Sequence, residues 1–175
     1  FLHLRVGPGG HPALGNKLVR RAIAYGIDRG AMARTLLGEL DSSYPSSNSA
    51  VFFNTYRYYR PNWSGYGYRP DRARRLLEQA GCRRGADGIY VCSGERLSLG
   101  LGTASGVPIR ERTVALIQRD LRQVGVEVKL VFGSLSTVVA QLASGALDMA
   151  DFAWVAMGTH GLGAGVYGCA ESDNV

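Results

Sequence analysis

Residues 1–6 alternate apolar and polar side chains, the period of a short strand, and Gly7, Gly9, Gly10 and Pro12 end it. From Asn16 the period changes to 3.6 residues. Leu18, Val19, Ala22, Ile23 and Ile27 then fall on one helix face, with Lys17, Arg20 and Arg21 opposite. Asp28 is placed to cap a second helix, whose stripe is Met32, Leu36 and Leu37 and whose stop is Gly38. Asp71 is expected to cap a third, with Ala73, Leu76, Leu77 and Ala80 facing inward and Gly81 ending it. Residues 82–95 read as a hairpin-like excursion around Gly85 and Gly88. Residues 96–101 predict a strand with Leu97, Leu99 and Leu101 on one face. Pro108 opens a helix lined by Val114, Ile117, Leu121 and Val124, since proline in the first turn gives up no helical hydrogen bond. Val126, Val128, Leu130 and Phe132 share one side of the next strand. Leu135, Val138, Val139 and Leu142 form another helix stripe, closed by Gly145, and residues 147–155 make the last strand. Strand, helix, strand, helix, strand within about 60 residues predicts parallel pairing with right-handed crossovers.

Residues 39–70 break this rhythm. They carry six of the nine tyrosines, with Phe52, Phe53 and Trp63 among serines, prolines and glycines. Aromatic rings bury large areas, so a long irregular but ordered segment is expected here. Trp63 and some of Tyr56, Tyr58, Tyr66 and Tyr68 are expected to pack on the helices beginning near Asn16 and Asp71. From Gly158 to Gly168 the chain is glycine-rich and loop-like.

With 175 residues, 46% of them hydrophobic, the chain can bury one core, and residues 1–175 are read as a single domain. No apolar run approaches the roughly 18 residues of a membrane helix, and no signal-peptide pattern is visible. The chain opens inside a strand, so it is expected to be a piece of a longer protein.

The net charge of +6 comes from 20 basic residues, all arginine except Lys17 and Lys129, against 14 acids. Arg57, Tyr58, Tyr59 and Arg60 interleave cations with stacking rings, as single-strand binders do. Most arginines, among them Arg20, Arg21, Arg74, Arg75, Arg119 and Arg122, instead stand opposite apolar stripes, where a solvated helix face is the ordinary meaning. A nucleic-acid-binding module is therefore kept as an alternative, and nucleic acid is not the expected partner.

Catalytic patterns are sparse. There is no nucleophile elbow, and Ser105 lies in a Thr103-Ala-Ser-Gly106 run of the wrong spacing. Asp148 and Asp151, three apart in a strand, would point to opposite faces. Gly163, Gly165 and Gly168 match a dinucleotide fingerprint in letters, but no strand precedes them and no helix follows. Gly100, Gly102 and Gly106 have better context between strand and helix, so a small nucleotide-binding oxidoreductase is a second alternative. His3, His11 and His160 are scattered and read as packed or solvated, and no zinc spacing exists, so neither metal nor cofactor is expected. Cys82 and Cys92 are read as a local disulfide, implying an oxidising compartment, with two free structural thiols as the other possibility; Cys169 is isolated.

Taken together, five blocks in order resemble the bacterial extracellular solute-binding proteins of the oligopeptide, dipeptide and nickel class, family 5, which serve ABC importers. Residues 18–29 (LVRRAIAYGIDR) resemble the family's "vRqAlayAiDR" helix, and residues 67–81 its "y-Dp-kAk-LL-eAG" helix. Residues 88–99 are similar to its "dG-r-G-pl-l" hairpin, residues 115–128 to "iQ-qL-kiGi-v", and residues 145–154 to the closing "g-yDm-l-gW" strand. The resemblance implies an α/β fold: a mixed sheet with flanking helices, the second lobe of a two-lobed type II periplasmic-binding-protein architecture. It implies no chemistry on the solute, oligopeptide as the expected solute, and a site completed by a missing lobe of the same protein. A membrane ABC permease would be the partner, and the location extracytoplasmic, as a lipid-anchored or periplasmic protein. Trp154 matches the tryptophan that faces the family's cleft. Met157 stands where peptide-binding members place an acid for the peptide's amino terminus. Thr103 and Ser105 are further candidates for the cleft, because strand-to-helix loops expose amides and hydroxyls.

Overall fold

The computed structural model describes residues 2–38, 48–49, 57 and 59–153. Trp154, Met157, Tyr56, Tyr58, His160, Cys169 and the glycine-rich stretch 158–168 lie outside the described residues. The elements run β1 (Leu2–Leu4), a short 3-10 helix (Pro12–Gly15), α1 (Lys17–Gly26), α2 (Arg29–Leu37) and α3 (Pro70–Gln79). Then follow β2 (Arg83–Arg84), β3 (Tyr90–Cys92), β4 (Glu95–Arg96), β5 (Ser98–Ala104), α4 (Pro108–Gln123), β6 (Glu127–Gly133), α5 (Leu135–Ser144) and β7 (Met149–Asp151).

The main sheet has the order β1-β7-β5-β6. β5 is parallel to both β6 and β7, and β1 closes the edge antiparallel to β7, so the sheet is mixed. The chain leaves β5 through α4 to reach β6 on one side, then returns through α5 to β7 on the other. Two right-handed crossovers running in opposite directions put their helices on opposite faces. The packing agrees. Leu97, Leu99 and Leu101 join Val114, Ile117 and Leu121 in the larger core, whereas Val138, Leu142 and Leu147 form a smaller one beyond the sheet.

The two faces of β5 differ because alternate residues point apart. Its leucines fill the α4 side. On the α5 side stand Gly100 and Gly102, where a Cβ would lie 3.2 Å from Leu147 Cδ2 and 2.5 Å from Leu147 Cδ1 respectively. Periodicity predicts the strand only to residue 101, which leaves Gly102 and Gly106 in the strand-to-helix turn and Gly100, Gly102 and Gly106 as an alternative nucleotide-binding pattern. In the structure the strand extends to Ala104, and Gly100 and Gly102 are spent on close approach to α5 and Leu147.

Caps follow local chemistry with one correction. Asn16 Oδ1 accepts from Leu18 N–H (2.9 Å) and Asp28 Oδ1 from Ala31 N–H (2.8 Å). Asp71 is not the cap of α3; Arg69 occupies that position, Pro70 is the first helical residue, and Asp71 lies in the first turn beside Arg74. Proline's fixed φ moves the boundary one step forward. The stripe of α2 is shallow: none of its residues is fully buried, and Met32 packs partly on the core.

The excursion over 82–95 is a three-stranded antiparallel sheet, β2-β3-β4, and it carries the disulfide between Cys82 and Cys92. Tyr90 fastens it: its N–H donates to Gly125 O (2.8 Å) and its hydroxyl to Glu78 Oε1 (3.0 Å). The described part of the irregular segment is held through a relay of rings. Trp63 remains 41% exposed and leans on Tyr66, which packs on Tyr25 of α1. Arg29 donates to the carbonyls of Trp63 and Tyr66 (both 3.1 Å), and Tyr68 reaches Gln123 of α4. Tyr66 thus makes the ring contact with α1 expected of this segment, and Trp63 packs on Tyr66.

Candidate functional site: the carboxyl edge of the sheet

In an open α/β sheet the place for a ligand is outside the carboxyl ends of the parallel strands, where the order reverses. Here that point is the end of β5, between β6 and β7. Two helices start at this edge. Ser134 caps α5 by accepting from Thr137 N–H (3.1 Å). α4 has no capping side chain at Val107; instead Glu111 Oε1 accepts from Gly106 N–H (2.7 Å). Ser105 ties the two strand exits together, donating from both its N–H (2.9 Å) and its hydroxyl (3.3 Å) to Gly133 O.

Thr103 does not reach the ligand side. Its side chain is fully buried and its hydroxyl donates to Asp151 O (3.1 Å), locking β5 to β7. Its inward direction follows from alternation along β5, which puts it on the face of Leu99 and Leu101, and the register sets it opposite Asp151. Ser105, one step past the strand, is exposed and stays on the edge. The two aspartates do part company, though for a different reason than alternation. Asp148 precedes β7 and accepts from His11 N–H (2.7 Å) and Gly100 N–H (2.9 Å) at the amino end of the sheet. Asp151, buried at the carboxyl end, meets Arg110 of α4 (3.2 Å).

Six large hydrophobic residues are exposed among the described residues, and three of them, Ile109, Phe132 and Leu135, stand at this edge with 47–49% of their surface open. Phe132 and Leu135 belong to the predicted core stripes, but they lie where strand and helix run past the covering layers. Ile109 and the Arg110–Asp151 pair were not singled out by sequence reading. The signal available was position: apolar or paired residues within two or three places of the strand exits.

The edge offers apolar wall and hydroxyl, with its amides largely engaged. No group of three metal-ligating side chains occurs among the described residues. No described helix is long and apolar enough to cross a membrane.

A profile of the bacterial extracellular solute-binding proteins, family 5 (middle region), matches residues 1–165. The chain belongs to this family. Family 5 is a non-enzymatic class of solute-binding proteins. This family-5 chain is 31% identical to the oligopeptide-binding protein OppA of Mycobacterium tuberculosis over 143 residues, covering 81% of the chain and 24% of that protein. It spans about a quarter of the length of the curated relatives it matches. Among solved structures, NikA from Brucella suis in complex with Fe(III)-EDTA matches at 29% identity and a TM-score of 0.69, over 89% of this chain and 30% of NikA. The oligopeptide-binding protein from Thermus thermophilus complexed with a pentapeptide matches at 26% identity and a TM-score of 0.69, over 82% and 25% of the two chains. The α/β architecture with its mixed sheet is therefore that of part of a periplasmic binding protein.

Proposed function

We propose that residues 1–175 form one lobe, the second, of a family-5 solute-binding protein that captures oligopeptides between this lobe and another for delivery to an ABC permease. The observation that carries the reading is the uncovered apolar edge at Ile109, Phe132 and Leu135, at the switch point of the parallel strands. A sheet edge of this kind gains by being closed over, and a peptide clamped between two walls buries far more surface than one lying on a single wall. The relatives support the solute class: one is named for oligopeptide binding and another is complexed with a pentapeptide. Trp154 lies three residues beyond Asp151 and is assigned to the cleft with Met157 and Ser105. Thr103 acts behind them, holding Asp151 in place. Because Met157 is uncharged, peptides with a blocked amino terminus fit this edge as well as free ones. The protein would work outside the cytoplasm, lipid-anchored or periplasmic, where the Cys82–Cys92 disulfide is stable.

Calorimetry of the full-length protein against free and amino-blocked oligopeptides tests this. Micromolar binding that weakens at least about tenfold in Trp154→Ala is the expected result, as for loss of a central aromatic anchor. No binding of any peptide, or binding indifferent to Trp154, would sink the assignment.

A further inference from the structure

A second concave surface lies away from the carboxyl edge. Leu18 and Arg21 of α1 face Pro70, Asp71, Arg72, Arg75, Leu76 and Gln79 of α3 across a groove of about 680 Å³, with Tyr68 and Arg69 at its mouth. The 3-10 helix before α1 is bound through His11 to Asp148 and to Arg96 O, at the amino ends of β7 and β5. The far end of α1 packs beneath the last turn of α4, where a Cβ on Gly26 would lie 3.0 Å from Val124 Cγ2. This groove therefore belongs to the side of the lobe opposite Ser105 and Phe132.

Four arginines, Arg21, Arg69, Arg72 and Arg75, are among the residues that line it. No ion pair holds any of the four among the described residues. The one carboxylate in the wall, Asp71, is engaged by Arg74. Arg21 Nε is shut off from solvent with no acceptor. The Arg72 guanidinium is held over the Tyr25 ring at 4.6 Å, and the backbone N–H of Arg69 donates to Tyr25 O (2.9 Å), which anchors the chain at the mouth of the groove. Cations gathered without counter-charge repel one another, and a bound anion relieves that repulsion. Planar guanidinium forks match the oxygens of a phosphoryl group, which can accept from several of them at once.

We propose that the α1/α3 groove is a binding site for a phosphoryl group, with Arg21, Arg69, Arg72 and Arg75 as its ligands. Two sources supply that chemistry, a free phosphate compound or the headgroup of an anionic phospholipid. The test uses the full-length protein, with inorganic pyrophosphate in calorimetry and phosphatidylglycerol vesicles in co-sedimentation. The groove variant Arg21→Gln/Arg75→Gln is compared with a charge-matched variant elsewhere, Arg83→Gln/Arg112→Gln. Loss of two charge-assisted donors should weaken binding about tenfold or more in the groove variant and leave the matched variant near the parent. Binding of pyrophosphate with that pattern assigns a free phosphate; binding of the vesicles alone with the same pattern assigns a headgroup. Equal weakening in both variants would mean diffuse attraction to net charge and would overturn the site, as would failure of both probes to bind. Thermal melting of the two variants confirms that each is folded.

Discussion

Gly102 and Leu147 meet so closely that a Cβ on the glycine would lie 2.5 Å from Leu147 Cδ1, with Val138 Cγ1 at 2.9 Å. Both neighbours are buried, and valine's branched side chain has little freedom to turn aside. Gly102→Ala should therefore destabilise the protein by about 1–3 kcal/mol through overpacking. Chemical denaturation of the two proteins checks it; unchanged stability would mean that α5 slides outward without cost.

The disulfide should matter through the unfolded chain. Cys82 and Cys92 close a short loop, for which the chain-entropy account gives about 2–3 kcal/mol. Cys82→Ala/Cys92→Ala should lower the unfolding free energy by that amount, and a reducing agent should lower the parent's unfolding midpoint while leaving the double variant's unchanged.

His3 sets an acid limit. It is buried in β1 and stacks on Phe152 at 4.1 Å, and that burial lowers its pKa from 6.5 to about 4. The folded protein thus resists protonation that the unfolded chain accepts. The stability is fully present above pH 6.5 and is lost as pH falls from there toward about 4, by up to about 3 kcal/mol. His3→Phe should flatten the stability profile across that window. Glu127 acts lower: the paired hydrogen bonds it accepts from Arg96 (3.0 and 3.1 Å) hold it at about 2, so its contribution is present above its ordinary value of 4.5 and fades below that.

Asp148 is a joint between three segments, since one carboxylate takes the N–H of His11 and of Gly100. Asp148→Ala leaves two amides without acceptors and should cost about 2–4 kcal/mol. Asp148→Asn keeps one acceptor oxygen and should cost less. Equal losses in the two variants would show that charge, and not the second acceptor, is what matters.

The 175-residue chain by itself should fold but hold peptide weakly. A peptide bound at micromolar affinity by two walls has roughly −8 kcal/mol, and one wall keeping half of it leaves about −4, or millimolar. Micromolar binding by this chain alone would show that the site is complete within it and that the half-site proposal fails.

Periodicity alone located the helices and strands of the β5–β7 unit, because each apolar stripe is dictated by the neighbours within one element. The cap at Asp28 and the stop at Gly145 were equally local: a side chain or a left-handed backbone completes a helix end within a few residues. Block resemblance supplied the family. What no local pattern held was the meaning of residues that answer to distant partners. Gly100, Gly102 and Gly106 left a nucleotide-binding turn open as an alternative; the strand runs on through Gly102 to Ala104, and the purpose of Gly100 and Gly102 is room for Leu147. Thr103 looked like a cleft hydroxyl until the register set it against Asp151. Phe132 and Leu135 read as core, yet they stand at the carboxyl edge with 49% of their surface open. In each case the side chain's direction follows from the strand, but what it meets depends on segments about 30–50 residues away, brought there only by crossovers that the sheet as a whole decides.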